Sequence, residues 1–335
     1  MGRRIAVLGA GSWGTALALL LAKNGHAVTL WGHRPEGMRR LATERCNRRY
    51  LPNAPFPPEL EVTDHLAEAV PDREIVLVAV PSHAFRDLLP RIAPLLTPGA
   101  GLAWATKGLE VQTGRLLHEI AEDILGREIA TAVLSGPTFA GEVAAGLPTA
   151  ITVASRTHSF AADMASSLHN LHFRAYTTDD MVGVQLGGAT KNVLAIAAGV
   201  ADGLGFGANS RAALITRGLA EMMRLGLALG GKAETFMGLA GVGDLILTCT
   251  DDQSRNRRFG LGLGKGLSRD AAARQIGQEI EGVATAEVIH RLSRRYRVDM
   301  PISDQVYRIL YEGLAPSSAV HNLLIREPKS EGMGN

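Results

Sequence analysis

Three groups of residues in this chain have the types and spacing that chemistry requires. Gly9-Ala10-Gly11-Ser12-Trp13-Gly14 follows the apolar run Ile5-Ala6-Val7-Leu8 and opens a helical pattern from Thr15 to Asn24. In that order the first glycine permits a tight turn and the second lets backbone approach a pyrophosphate. The third lets helix pack on strand, with the anion at the helix N-terminus. A lone glycine motif is often only a turn; placed between strand and helix at residue 9, it predicts a dinucleotide site. The second group is Lys191, set in the pattern Val184 to Val200 among Gly187, Gly188, Ala189, Ala195, Ala197 and Ala198. A lysine in such a setting either reaches solvent along its stem or sits in an enclosed site, and the residues alone leave both open. The third is Ser254-Arg255-Asn256, a hydroxyl, a planar guanidinium and an amide in consecutive positions. Such a run can saturate an anion's acceptor oxygens, although taken alone it reads first as a basic loop. Arg257 and Arg258 beside it read as solvated charge.

These groups need elements to hold them. Short apolar runs at Arg4–Leu8, Val28–Trp31, Ile75–Val80, Gly101–Thr106, Ile129–Leu134 and Ala150–Ala154 alternate with helical stretches. Runs of that kind predict strands buried on both faces of a mainly parallel sheet, an α/β Rossmann-type domain over residues 1–182. Past Asp180 the strand signals fade. Helical periodicity takes over at Val184–Val200, Arg211–Leu229, Arg269–Gln275, Thr285–Tyr296 and Ser303–Glu312, which predicts an all-α domain over 183–328. Glycine-rich loops are expected at Gly238–Asp244 and Gly260–Gly266, and residues 329–335 read as a flexible tail. The second strand ends in Gly32-His33-Arg34, where an acid would meet a ribose 2′-hydroxyl. Arg34 suits a 2′-phosphate instead, so NADP(H) is preferred and NAD(H) admitted; the plain alternative is an exposed arginine.

At 335 residues the chain is longer than one core usually supports, which agrees with two domains. Lys+Arg 35 against Asp+Glu 33 leaves +2, too small an excess to predict nucleic acid as a partner. The apolar run Val193–Ala201 stops at Asp202, too short to span a bilayer, so no integral membrane association is expected. Met1-Gly2-Arg3-Arg4 opens like a signal sequence, but a glycine turn interrupts the apolar stretch and no cleavage site follows. Two cysteines, Cys46 and Cys249, fit neither a disulfide framework nor a zinc pattern. No metal site is expected, Cys249 reads as a small buried hydrophobe, Met222 and Met223 as helix core, and histidines such as His118 as surface or capping residues. The expected location is the cytoplasm.

Taken together, Gly9–Gly14, Thr106-Lys107-Gly108, Ser135-Gly136-Pro137-Thr138, Gly188-Ala189-Thr190-Lys191-Asn192, Gly238-Leu239-Ala240-Gly241-Val242-Gly243-Asp244-Leu245 and Ser254–Arg258 occur in this order. From about residue 4 to about 325 they closely resemble the bacterial NAD(P)-dependent glycerol-3-phosphate dehydrogenase family. The resemblance implies reversible reduction of dihydroxyacetone phosphate, a phosphorylated triose, to sn-glycerol 3-phosphate for phospholipid synthesis. It implies substrate contacts at Lys107, Gly136, Thr138, Lys191, Asp244, Ser254, Arg255 and Asn256. Implied cofactor contacts, besides the glycines Gly9, Gly11 and Gly14, are Ser12, Trp13, His33, Arg34, Lys107, Ala140, Arg255 and Glu281. Glu279 stands where the family pattern expects an apolar residue. Reducing a ketone also needs a proton donor for the developing alkoxide, and Lys191 is the candidate, with Lys107 and Asp244 as its catalytic partners in a cleft between the domains. A homodimer is the expected assembly. Two other readings remain: a hydroxyacid or ketopantoate-type dehydrogenase, which has no need of Ser254–Asn256, and a dinucleotide-sensing regulator, which has no use for Lys107, Lys191 and Asp244 together.

Overall fold

Eight strands form one sheet: β1 (Arg4–Leu8), β2 (Ala27–Trp31), β3 (Leu60–Thr63), β4 (Ile75–Val78), β5 (Gly101–Trp104), β6 (Thr131–Ser135), β7 (Thr149–Ala154) and β8 (Phe173–Thr178). Their order is β3-β2-β1-β4-β5-β6-β7-β8. The strands are parallel from β3 through to β6, β7 runs antiparallel to β6, and β8 is parallel to β7. The computed structural model describes residues 2–327, so the tail expected at 329–335 lies outside the described residues.

Ile5 to Leu8 and Ile75 to Val78 are buried throughout, because helices cover both sheet faces and leave no side for polar alternation. Two strands had no such apolar signature. They are β3 and β8, the two edges of the sheet. Leu60 is buried while Glu61 is exposed, and in β8 Arg174, Tyr176 and Thr177 are exposed, so an edge strand needs only half the apolar pattern.

The chain divides into two compact units. One runs to Glu110 and resumes over Arg115–Gln185; the other takes Val111–Gly114 and the chain from Leu186. Past β8 the described residues form helices and connections only. The helix read as Val184–Val200 extends over Met181–Gly203, and from Leu186 on its buried apolar residues, Leu186, Val193, Leu194 and Ile196, make it part of the second unit's core.

Both expected glycine loops are helical instead. Leu239–Gly243 forms a wide helical turn that runs directly into a helix at Asp244–Thr250. Gly260–Gly264 is the second half of a helix, Arg255–Gly264, and its glycines allow two backbones to touch. A Cβ at Gly260 or Gly264 would collide with the carbonyl oxygens of Ile196 and Val200. Reciprocally, a Cβ at Gly199 or Gly203 would collide with those of Arg257 and Leu261. Two Gly-x-x-x-Gly faces, one on each helix, thus cross backbone to backbone.

Candidate active site

In the first unit the candidate residues gather where parallel strands end. Gly9–Gly14 follows β1, His33 and Arg34 follow β2, Lys107 follows β5, and Gly136, Thr138 and Ala140 follow β6. The sheet order reverses between β1 and β4, and the carboxyl ends of the strands around such a reversal are where α/β sheets bind ligands. Gly9 has φ +127°, and a Cβ there would press on Ala79's carbonyl; a Cβ at Gly14 would strike Gly9's own carbonyl. At Gly11 a Cβ would meet nothing within 4 Å, so the space above the loop is open.

The helix Ser12–Lys23 starts at Gly11 with no side chain capping its first turn, which leaves its N–H groups to an anion. Buried Asn47 steadies the turn by donating to the carbonyl of Ala10 at 3.1 Å and to Thr15 Oγ1 at 2.8 Å. Trp13 Nε1 is buried without a hydrogen-bond partner in the chain. An open cradle, an uncapped helix start and an orphaned donor fit a dinucleotide. His33 and Arg34 are both exposed, with Arg34 Nε 3.3 Å from His33 Nε2. Lys107 Nζ donates to the carbonyl of Gly136 at 3.0 Å, and Thr138 Oγ1 donates to the same oxygen at 3.1 Å.

In the second unit Lys191 does not reach solvent. It is 6% exposed, its ammonium is paired with Asp244 Oδ1, and it donates to Thr248 Oγ1 at 2.9 Å. Thr248 in turn donates to the main-chain carbonyl of Asp244 at 2.6 Å. The backbone brings these groups together. A Cβ at Gly187 would collide with the carbonyl of Ala240, so helix and wide turn touch there. Lys191 and Asp244 lie four residues beyond those contact points, one turn further along each. Thr248 was not among the residues singled out above. Its signal is the i, i+4 spacing from Asp244, which puts both on one face of a short helix.

The Ser254–Asn256 run is the start of the Arg255–Gly264 helix. Ser254 is its N-cap, with Oγ accepting from Arg257 N–H at 3.2 Å. Asn256 is buried and held from both sides: Nδ2 donates to Asn192 Oδ1 at 2.9 Å, and Oδ1 accepts from Gly282 N–H at 2.9 Å. Asn192 also donates to Glu281 Oε2 at 3.4 Å. Arg255, between these two fixed residues, is half-buried, while Glu279 is exposed, so an acid there carries no burial cost. Arg258 is exposed as expected; Arg257 is not. Its guanidinium is buried against Asp202, 2.6 Å away, and its other terminal nitrogen meets the exposed carboxylate of Asp252, so the close helix crossing holds the stem while two carboxylates take the charge. Cys249 is fully buried and its thiol is pushed up to about 12 by that burial, which removes it as a nucleophile. His118, expected as a surface or capping residue, is buried beside Gln185, and burial lowers its pKa.

Residues 4–161 match the model of the NAD-dependent glycerol-3-phosphate dehydrogenase N-terminus, and residues 180–321 match that of its C-terminus. The chain belongs to this family. It is 65% identical over 328 residues to a glycerol-3-phosphate dehydrogenase [NAD(P)+] of Methylococcus capsulatus, covering 98% of both chains. The crystal structure of glycerol-3-phosphate dehydrogenase from Coxiella burnetii superposes with a TM-score of 0.94 at 50% identity, covering 97% of this chain and 99% of that one. A ketopantoate reductase from Ralstonia eutropha, at 18% identity and TM-score 0.60 over 95% of this chain and 100% of that one, shares the fold alone. Among the described residues no helix is long and apolar enough to cross a membrane, and no group of three or more His, Cys, Asp or Glu is placed to hold a metal ion.

Proposed function

We propose that this member of the glycerol-3-phosphate dehydrogenase family reversibly reduces dihydroxyacetone phosphate to sn-glycerol 3-phosphate, with NADP(H) preferred over NAD(H). The product would feed glycerophospholipid synthesis in the cytoplasm. The observation that carries the reading is the buried ammonium of Lys191, held by Asp244 and Thr248 in the unit that also bears Ser254–Asn256.

When bound, the dinucleotide supplies the hydride. The Gly9–Gly14 loop holds its pyrophosphate, and Ser12, Trp13, His33, Arg34, Lys107, Ala140, Arg255 and Glu281 hold the rest. Lys191 Nζ gives its proton to the substrate oxygen as that oxygen becomes an alkoxide, and takes it back in the oxidative direction. Asp244 keeps the ammonium oriented and balances its charge. Both effects act mainly in the transition state, and general acid catalysis alone contributes roughly 10² to 10⁴-fold. Ser254, Arg255 and Asn256 take the phosphate, with Lys107, Gly136 and Thr138 as further substrate contacts. That anchor separates this reading from a ketopantoate-type dehydrogenase, whose substrate carries no phosphate. The chain assembles as a homodimer, which light scattering would report as twice the 35.5 kDa chain mass.

Purified protein should oxidise NADPH when given dihydroxyacetone phosphate and do so far more slowly with unphosphorylated dihydroxyacetone or ketopantoate. No turnover of the phosphate ester, or equal turnover of the free triose, would sink the reading.

A further inference from the structure

Arg257 has no part in the chemistry above, yet among the described residues it is the one buried arginine. It is 8% exposed. One terminal nitrogen donates to Asp202 Oδ2 at 2.6 Å and the other contacts Asp252, while the buried Nε has no partner. Asp202, its side chain 7% exposed, also accepts from Arg211 Nε at 3.0 Å, so this carboxylate joins three helices. Such a buried arrangement is weak evidence for stability, since desolvating the charges offsets most of their attraction. Its geometry suits another task. Asn256 and Arg257 are neighbours, and both grip the Met181–Gly203 helix, one at its middle and the other near its C-terminal end. Asn256 reaches Asn192, and Arg257 reaches Asp202, ten residues or about 15 Å further along the helix axis.

Between those two grips the backbones touch, with Arg257's carbonyl against Gly199. Three attachments along one line fix both the rotation and the axial position of the first turn of the Arg255–Gly264 helix. The backbone N–H of Arg257 meanwhile closes the Ser254 cap.

We propose that Arg257, locked to Asp202, is a positioning residue that aims Ser254, Arg255 and Asn256 at the phosphate of the substrate. The proposal rests on the assignment of that run to the phosphate. Arg257 touches no substrate; it sets the direction in which Arg255, the residue between two immobilised neighbours, presents its guanidinium. A lysine cannot reproduce the role, because one ammonium cannot span Asp202 and Asp252 as the planar fork does.

The test uses the full chain carrying Arg257→Met, Arg257→Lys or Asp202→Asn. Steady-state kinetics with NADPH and dihydroxyacetone phosphate are measured beside inhibition by inorganic phosphate and thermal unfolding. The expected result is a rise of at least about ten-fold in the KM for the triose phosphate, a parallel weakening of phosphate inhibition, and kcat at saturation within about three-fold of wild type. Arg257→Lys should fall between wild type and Met. A purely structural arginine predicts the opposite split: lower Tm and lower kcat through loss of active protein, with KM and phosphate inhibition unchanged. That outcome overturns the proposal. Should Arg257→Met fail to fold, Asp202→Asn and Arg257→Lys are read by the same criterion. Wild-type protein that reduces free dihydroxyacetone as well as its phosphate ester would refute the phosphate assignment itself, and is distinguished from the variants' result because no substitution is involved.

Discussion

Lys191 shows how much one residue's surroundings decide. Most of its neighbours along the helix are small or apolar, which left solvent and enclosure equally open; its partners are Asp244 and Thr248, more than fifty residues away. In the proposed reaction, an ammonium so held would meet the developing alkoxide without reorganising, and that is where electrostatic catalysis is strongest. Lys191→Met should therefore fold normally and bind NADPH with near-native affinity, yet lose at least about a hundred-fold in kcat, with Asp244→Asn losing somewhat less. Near wild-type kcat, or inactivity caused only by lost cofactor binding or stability, would defeat that assignment. Arg34 is the other residue whose task can be read singly. It is exposed at the end of β2 beside His33, where a guanidinium attracts a 2′-phosphate and loses little with a hydroxyl. Arg34→Asp should raise the NADPH KM about ten- to a hundred-fold, the loss of one charge-assisted contact, and shift preference to NADH. Unchanged ratios for the two cofactors would make Arg34 a surface residue only.

At the scale of elements, the crossing of the Met181–Gly203 and Arg255–Gly264 helices carries the second unit's share of the proposed site. Lys191 and Asn192 sit on one helix, Ser254 to Asn256 at the start of the other, and glycine on both sides sets their separation. Gly260 faces the backbone of Ile196, which cannot give way as a side chain can, whereas a Cβ at Gly262 would meet side-chain atoms of Ala272 and Leu267 at 3.3 Å. Gly260→Ala should accordingly destabilise by about 1–3 kcal/mol despite the better helix propensity of alanine, while Gly262→Ala stays near neutral. Unfolding in urea measures the difference. Equal effects at the two positions would mean that close approach is not what requires glycine here.

For the molecule as a whole, stability should depend on pH through Glu221, which has no part in the proposed chemistry. Its carboxylate is 1% exposed on the helix Ala208–Ala228 and accepts from Ile302 N–H at 2.5 Å, Ser303 N–H at 3.0 Å and Ser303 Oγ at 2.9 Å, capping the helix Pro301–Tyr311. Burial pushes its pKa from 4.5 up to about 7, against the pull of those donors. The folded chain therefore holds this proton more tightly than the unfolded one. The resulting stability, about 3 kcal/mol, is fully present below about pH 4.5 and is lost as pH rises through about 7. Thermal unfolding of wild type and Glu221→Gln between pH 5 and 8 should show the wild type's advantage shrinking as pH rises. Parallel profiles would show that Glu221 does not titrate in this range.

The glycine cradle, the interior strands and the helix of Lys191 were legible in the sequence, because each is a local pattern: a glycine run between strand and helix, short continuous apolar runs, and one long apolar stretch. The family's motifs could be read for the same reason, as short runs in a set order. What lay beyond local pattern was decided by neighbours distant in the chain. The strands β3 and β8 form because a sheet edge accepts polar residues. Gly260–Gly264 is helix and not loop because a second pair of glycines, some sixty residues earlier, makes room for it. Arg257, one of two adjacent arginines that look alike in sequence, is buried and paired with Asp202, whereas Arg258 faces water. Side-chain type and spacing state which groups can react; only the packing of one backbone against another determines which of them are held dry, paired and aimed.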